Sequence, residues 1–133
     1  MFVDASAIVA ILTGEAEADA LTDRLDGRHG CITSPIAVFE ATLAICRKRE
    51  VSVAEARKDI GDFLDITGTS LVAVAAADGD TALAAFARYG KGRGHPAQLN
   101  LGDCFAYAMA KNHGVPLLFK GDDFDRTDFA DGR

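Results

Sequence analysis

Five acids at four places in the chain stand apart from the rest: Asp4, Glu40, Asp103 and the adjacent Asp122 and Asp123. Asp4 follows the apolar opening Met-Phe-Val, and Asp122 and Asp123 follow the apolar Leu-Leu-Phe run near the end. Glu40 sits inside Ser34-Pro-Ile-Ala-Val-Phe-Glu-Ala-Thr-Leu-Ala-Ile45, where helical spacing puts Ile36, Leu43 and Ala44 on its face. A carboxylate in such a stripe is desolvated, at a cost of several kcal/mol unless it is paired, protonated or bound to a metal. Asp103 opens an apolar helix beside Gly102, a residue that lets a ligand or another chain segment approach closely. Each acid also has an ordinary reading. Asp4 could cap a helix, Asp103 could gain from a helix dipole, and Glu40 could pair with Arg47. By contrast Asp19, Asp23, Glu55, Asp59, Asp62 and Asp65 have the spacing of solvated helix faces.

Carboxylates brought together repel one another and protonate unless a cation neutralises them. An all-oxygen ligand set selects a hard ion, Mg²⁺ or Mn²⁺, over zinc. His29, His95 and His113 are scattered, and Cys31, Cys46 and Cys104 form no C-x-x-C pair, so a zinc centre and a dithiol motif are both excluded. Phosphate-binding G-x-x-x-x-G-K-[ST] and G-x-G-x-x-G segments after a strand are absent, as is G-x-S-x-G. A metal that activates water for attack on a phosphodiester is the chemistry this inventory suits. Arg88, Lys91 and Arg93, in and beside the Gly-rich loop at 90–96, could hold a phosphate backbone or be ordinary solvated charges. Arg47, Lys48 and Arg49 read as ordinary charges at a helix C-terminus.

To position these acids, the chain must bring its apolar runs together as strands. Four short runs, Met1–Val3, Cys31–Thr33, Leu71–Val74 and Pro116–Phe119, are predicted strands. Between them the spacing predicts helices over 5–12, 15–26, 35–49, 53–66, 78–89 and 101–112. Ser34 before Pro35, Ser52 with Glu55, and Asn100 are the predicted N-caps. Strands alternating with helix pairs imply a parallel sheet covered on both faces, a three-layer α/β/α sandwich of four or five strands in one domain over residues 1–133. In such a sheet ligands collect beyond the carboxyl ends of the strands, where Asp4, Asp122 and Asp123 fall.

The chain has 133 residues, with 14 Lys and Arg against 20 Asp and Glu, for a net charge of −6. That charge argues against a general nucleic-acid coat while leaving room for a basic rim around an acidic pocket. At 49% hydrophobic and 26% charged, the chain is neither disordered nor a disulfide-built miniprotein. The N-terminal apolar stretch carries Asp4 and lacks a basic flank, so neither a signal peptide nor a membrane span is expected. Reduced cysteines used as small core residues point to the cytoplasm.

The opening Met-Phe-Val-Asp-Ala-Ser-Ala7, the isolated Glu40, the segment from Tyr89 to Tyr107 and Leu117-Leu-Phe-Lys-Gly-Asp-Asp-Phe124 together resemble the VapC-type toxins, PIN-domain ribonucleases of bacterial toxin–antitoxin pairs. The resemblance spans nearly the whole chain. It implies a PIN-like sandwich, Mg²⁺-dependent endoribonuclease activity on RNA, a cognate antitoxin and a homodimer. Asp4 and Asp103 match the principal metal ligands and Glu40 the third acid. Where many members carry a fourth acid this chain has Gly121, so Asp122 is the expected replacement, with Asp123 next. Ser6 matches a small hydroxyl that supports the site. Two other readings compete. One is a catalytically inactive PIN-like module that binds RNA or protein. The other is a phosphate-signalling receiver domain, which Lys120 superficially fits but which needs an acceptor Asp after a central strand, where Asp59, Asp62 and Asp65 instead fall in a helical segment.

Overall fold

The computed structural model describes residues 1–129; residues 130–133 of the expected single domain lie outside the described residues. Its elements run β1 (Phe2–Val3), α1 (Ala5–Leu12), α2 (Ala18–Leu25), β2 (Ile32–Thr33), α3 (Pro35–Arg49), α4 (Val53–Thr67), β3 (Ser70–Leu71), α5 (Ala76–Tyr89), α6 (Leu101–His113) and β4 (Leu117–Leu118), with a short 3₁₀ turn at Phe124–Arg126.

The strands form a parallel sheet in the order β3-β2-β1-β4. Phe2 aligns with Ile32 on one side and Leu117 on the other, and Val3 aligns with Leu118. Phe2, Val3, Leu117 and Leu118 are all fully buried, which a strand achieves only when helices cover both faces. The expected α/β sandwich is therefore the observed architecture, with four strands. Thr33 adds a buried bond from its Oγ1 to the Val3 carbonyl (2.7 Å), tying β2 to β1 at the end where the site lies.

Local chemistry sets the helix ends. Ser34 Oγ accepts from the Ala37 N–H (3.2 Å) with Pro35 in the first turn, and Ser52 Oγ accepts from the Glu55 N–H (3.1 Å). Gly68 and Gly114 close α4 and α6 in the left-handed conformation, at φ 64° in both.

Three elements differ from expectation by two residues or more at one end, each for a visible reason. β3 spans Ser70–Leu71 rather than 71–74 because its partner β2 ends at Thr33, where Ser34 turns the chain into α3. α5 starts at Ala76 because the Asp78 carboxylate accepts from the Ala75 N–H (2.8 Å). α2 starts at Ala18, leaving Glu15 outside the helix, where its carboxylate takes up two lysines. Cys31 and Cys104 are buried free thiols and Cys46 is half-buried, as small core residues would be.

Candidate active site

Asp4 leaves β1 at the carboxyl edge of the sheet, its N–H still bonded to the Leu118 carbonyl (3.0 Å). As the N-cap of α1, its Oδ2 accepts from the Ser6 N–H (3.0 Å) and the Ser6 hydroxyl (2.5 Å). Ser6 Oγ in turn accepts from the Lys120 N–H (3.0 Å), so the loop after β4 is pinned to the loop after β1 through this hydroxyl. The Ser6 hydroxyl thus sits between the Asp4 carboxylate and the Lys120 backbone. Capping explains the local fold of Asp4, yet the residue is 3% exposed, and burial raises its pKa despite the lowering bonds from Ser6 and Ala5.

Asp103 stands in the first turn of α6 in a reciprocal box with Asn100. Asn100 Oδ1 accepts from the Asp103 N–H (2.9 Å), and Asp103 Oδ2 accepts from the Asn100 N–H (3.1 Å). Desolvation, followed by the charges of Asp4 and Asp123, outweighs this backbone bond and pushes the carboxyl up to about 7.

Glu40 projects from α3, whose Leu43, Ala44 and Arg47 line the same cleft at helical spacing. Its carboxylate lies against α6 at Gly102, in the space a Cβ at that position would fill. Burial and then the charges of Asp4 and Asp103 drive Glu40 up to about 7. Among the described residues no ion pair joins Glu40 to Arg47, so that alternative is not what the structure contains.

Asp4, Glu40 and Asp103 therefore line one open cleft of about 460 Å³, together with Ser6, Asn100, Glu15, Arg47, Lys48 and Lys120. Asp122 and Asp123 are exposed in the turn beyond β4 and do not line it; of the two, Asp123 is the one whose charge acts on Asp103. Among the described residues, no three acidic, imidazole or thiol groups close around a common point as a finished metal cage would. Asp4 nevertheless acts electrostatically on both Glu40 and Asp103, and Asp103 on Glu40, and their oxygens are the donors a hard cation takes.

The basic residues are distributed differently from expectation. Arg88, Lys91 and Arg93 do not line the cleft; Arg88 lies over the Tyr89 ring (4.7 Å to its centre) and Arg93 near Phe86 (6.0 Å). The cleft takes its cations from the end of α3 and from Lys120. Two signals for this were present in the sequence: Arg47 is seven residues, or two helical turns, after Glu40, and Lys120 directly follows a strand. Glu15 gave no signal, since only the fold brings it to the cleft. His29, His95 and His113 line no part of it.

A family model described as PIN domain matches residues 1–130. A VapC ribonuclease of Rhizobium meliloti is 45% identical, over 96% of this chain and 97% of its own. Ribonuclease VapC30 of Mycobacterium tuberculosis is 41% identical, over 98% of this chain and 96% of its own. Among solved structures, Mycobacterium tuberculosis VapC20, described as a sarcin-ricin loop cleaving toxin, superposes with a TM-score of 0.72 over 93% of this chain and 92% of that one. At 18% identity that likeness concerns the fold.

Proposed function

Because the chain belongs to the PIN-domain family and, within it, to the VapC ribonucleases, we propose that its acidic cleft is the catalytic centre of a Mg²⁺-dependent endoribonuclease toxin. The protein is a nuclease of the toxin–antitoxin class; RNA is its substrate and an antitoxin its partner. Asp4, Glu40 and Asp103 are assigned as the metal ligands, with a fourth acid from the Asp122-Asp123 turn. What supports this most is a single relationship: acids from α3, α6 and the end of β1 line one cleft, where the charge of Asp4 acts on both Glu40 and Asp103 and that of Asp103 acts on Glu40.

The residues fit the ion. Their donors are all oxygen, and the bare side of Gly102 gives the Glu40 carboxylate room beside α6. When bound, a divalent ion there supplies Lewis-acid activation of water and offsets charge on the phosphate. The chain's own part is to hold and orient. Ser6 fixes Oδ2 of Asp4, and the Asn100 N–H fixes Oδ2 of Asp103. Without the ion Glu40 is pushed up to about 7, and it gives up its proton and stays charged where it holds the cation. Ser6 supports the site through Asp4, and Arg88, Lys91 and Arg93 are assigned to RNA lying beyond the cleft.

Two further assignments accompany this reading. The protein acts in the cytoplasm, and among the described residues no helix is long and apolar enough to cross a membrane. It forms a homodimer, for which the apolar groove lined by Leu83, Phe86, Leu101 and Phe105 offers surface of the kind subunits bury; sedimentation of the purified protein tests this.

The deciding experiment is cleavage of total cellular RNA by purified protein, with Mg²⁺ or Mn²⁺, then with a chelator. Discrete fragments that vanish with chelator and with Asp4→Asn are expected. Undiminished cutting by Asp4→Asn would refute the assignment. RNA binding without any cleavage would favour an inactive module.

A further inference from the structure

Glu15 Oε1 lies 3.0 Å from Lys48 Nζ and 2.9 Å from Lys120 Nζ, at the wall of the acidic cleft. The two lysines come from unrelated parts of the chain, one from the last turn of α3 and one from the residue after β4 and Phe119. Neither is tied up by burial: their side chains are 40% and 34% exposed. Lys120 is also anchored at its backbone, through the Ser6 hydroxyl, to the carboxylate of Asp4. Its backbone therefore stands at a fixed remove from the site's most buried acid, and Glu15 holds the ammonium group at the end of its stem.

Ion pairs this exposed contribute little to stability, so stability does not account for the arrangement. Electrostatics does. Two ammonium groups sharing one carboxylate oxygen repel each other and attract any second anion. Each has three N–H donors and gives one to Glu15. Without Glu15, the negative charge of Asp4, Glu40 and Asp103 would draw both flexible chains inward, onto the acids. The lysines hold Glu15 below the usual carboxylate range, so it stays charged and keeps its grip. Glu17 Oε2, 3.8 Å from Lys120, adds a weaker restraint on the same side. In a chain of net charge −6, cations at the mouth of an acidic cleft are what a polyanion needs in order to approach.

Resting on the ribonuclease reading above, the geometry points to Lys48 and Lys120 as a two-ammonium seat for a backbone phosphate of the RNA, with Glu15 as the residue that positions them. The seat reads phosphate and carries no base preference.

The test uses a fluorescein-labelled single-stranded oligoribonucleotide. Its Kd is read by anisotropy on the Asp4→Asn background, so that the strand stays intact, and KM and kcat are read on the active chain. Lys48→Gln with Lys120→Gln raises Kd and KM about tenfold and leaves kcat within about twofold of the parent. The slope of log Kd against log salt falls by about 0.7 for each lysine removed. Lys48→Arg with Lys120→Arg restores both readings, which a structural role would not require. Glu15→Ala raises KM while keeping the salt slope, because both charges remain and only their placement is lost. An unchanged Kd and slope in the double glutamine variant, with cleavage intact, overturns the seat and leaves the ribonuclease reading standing. A KM in Glu15→Ala at or below the parent value overturns the positioning role. Absence of metal-dependent cleavage in the parent chain strikes the ribonuclease reading instead, and the anisotropy still reads the seat.

Discussion

The carboxylate of Glu40, on α3, rests against the backbone of Gly102, on α6, in the volume that any side chain at 102 would need. Position 102 is buried, lies inside a helix and adjoins Asp103, so a glycine there weakens the helix where a stronger former would be expected. The relationship explains the glycine: it opens the space in which Glu40 reaches its neighbours.

Gly102→Ala tests this. Alanine favours the helix by about 1 kcal/mol, so the melting temperature is expected to hold or rise. Cleavage is expected to fall at least about tenfold, because the Glu40 carboxylate must move off the cleft wall. Adding Glu40→Gln to Gly102→Ala is expected to cost little more than Glu40→Gln alone, since both changes remove the same interaction. Full additivity in kcat/KM would break the link between the two residues.

Asp4→Asn keeps the shape of the N-cap and removes one charge from the cluster. Activity should drop by more than about a hundredfold, as loss of a metal ligand exceeds the cost of losing a supporting group. The metal-free protein should melt at a higher temperature than its parent near pH 8, because a buried charge has been relieved. A lower melting temperature there would mean that the cap outweighs the repulsion.

Metal-free protein should lose stability as pH rises. Glu40 and Asp103 are pushed to about 7 in the fold, above the ordinary values of 4.5 and 3.8. Between those values the folded state holds more protons than the unfolded chain, so the stabilisation is complete below about pH 4 and disappears by about pH 7. Other groups add their own titrations at the acid end, so the diagnostic window is pH 5 to 8. Mg²⁺ should raise the melting temperature most at pH 8, and binding below pH 7 should release protons, visible as a buffer-dependent heat in calorimetry. A flat apo profile across that window would contradict the clustered acids.

The fourth acid can be settled by paired substitutions. Asp123 acts on Asp103 through its charge, whereas Asp122 was the first choice from the family pattern. Asp123→Asn is expected to weaken Mg²⁺ binding several-fold and Asp122→Asn to leave it nearly unchanged, measured by titration calorimetry. The reverse order would return the role to Asp122.

Much of the fold was legible because it is written in local signals. Ser34-Pro35, Ser52 and Asn100 cap helices through their own side chains, and the apolar runs around Phe2 and Leu117 can only be buried strands. The end of β3 was not legible: it depends on where its neighbour β2 runs out, and a strand's own residues do not carry that information.

The sequence alone picked out the acids of the candidate site. Taken singly, Asp4 at a strand end, Glu40 in an apolar helix and Asp103 beside Gly102 each have an ordinary structural reading; taken together they fall at one sheet edge or on helices leaving it, where desolvated carboxylates need a partner. Tertiary structure decided which cations face them. Arg88, Lys91 and Arg93 lie within six residues of one another in the chain, yet they fall outside the cleft, while Glu15, Lys48 and Lys120, more than 100 residues apart at the extremes, meet at its wall. Charge acts through space, and the distances between side chains from different elements exist only once the sheet order β3-β2-β1-β4 has set β1 beside β4 and brought the start and end of the chain together.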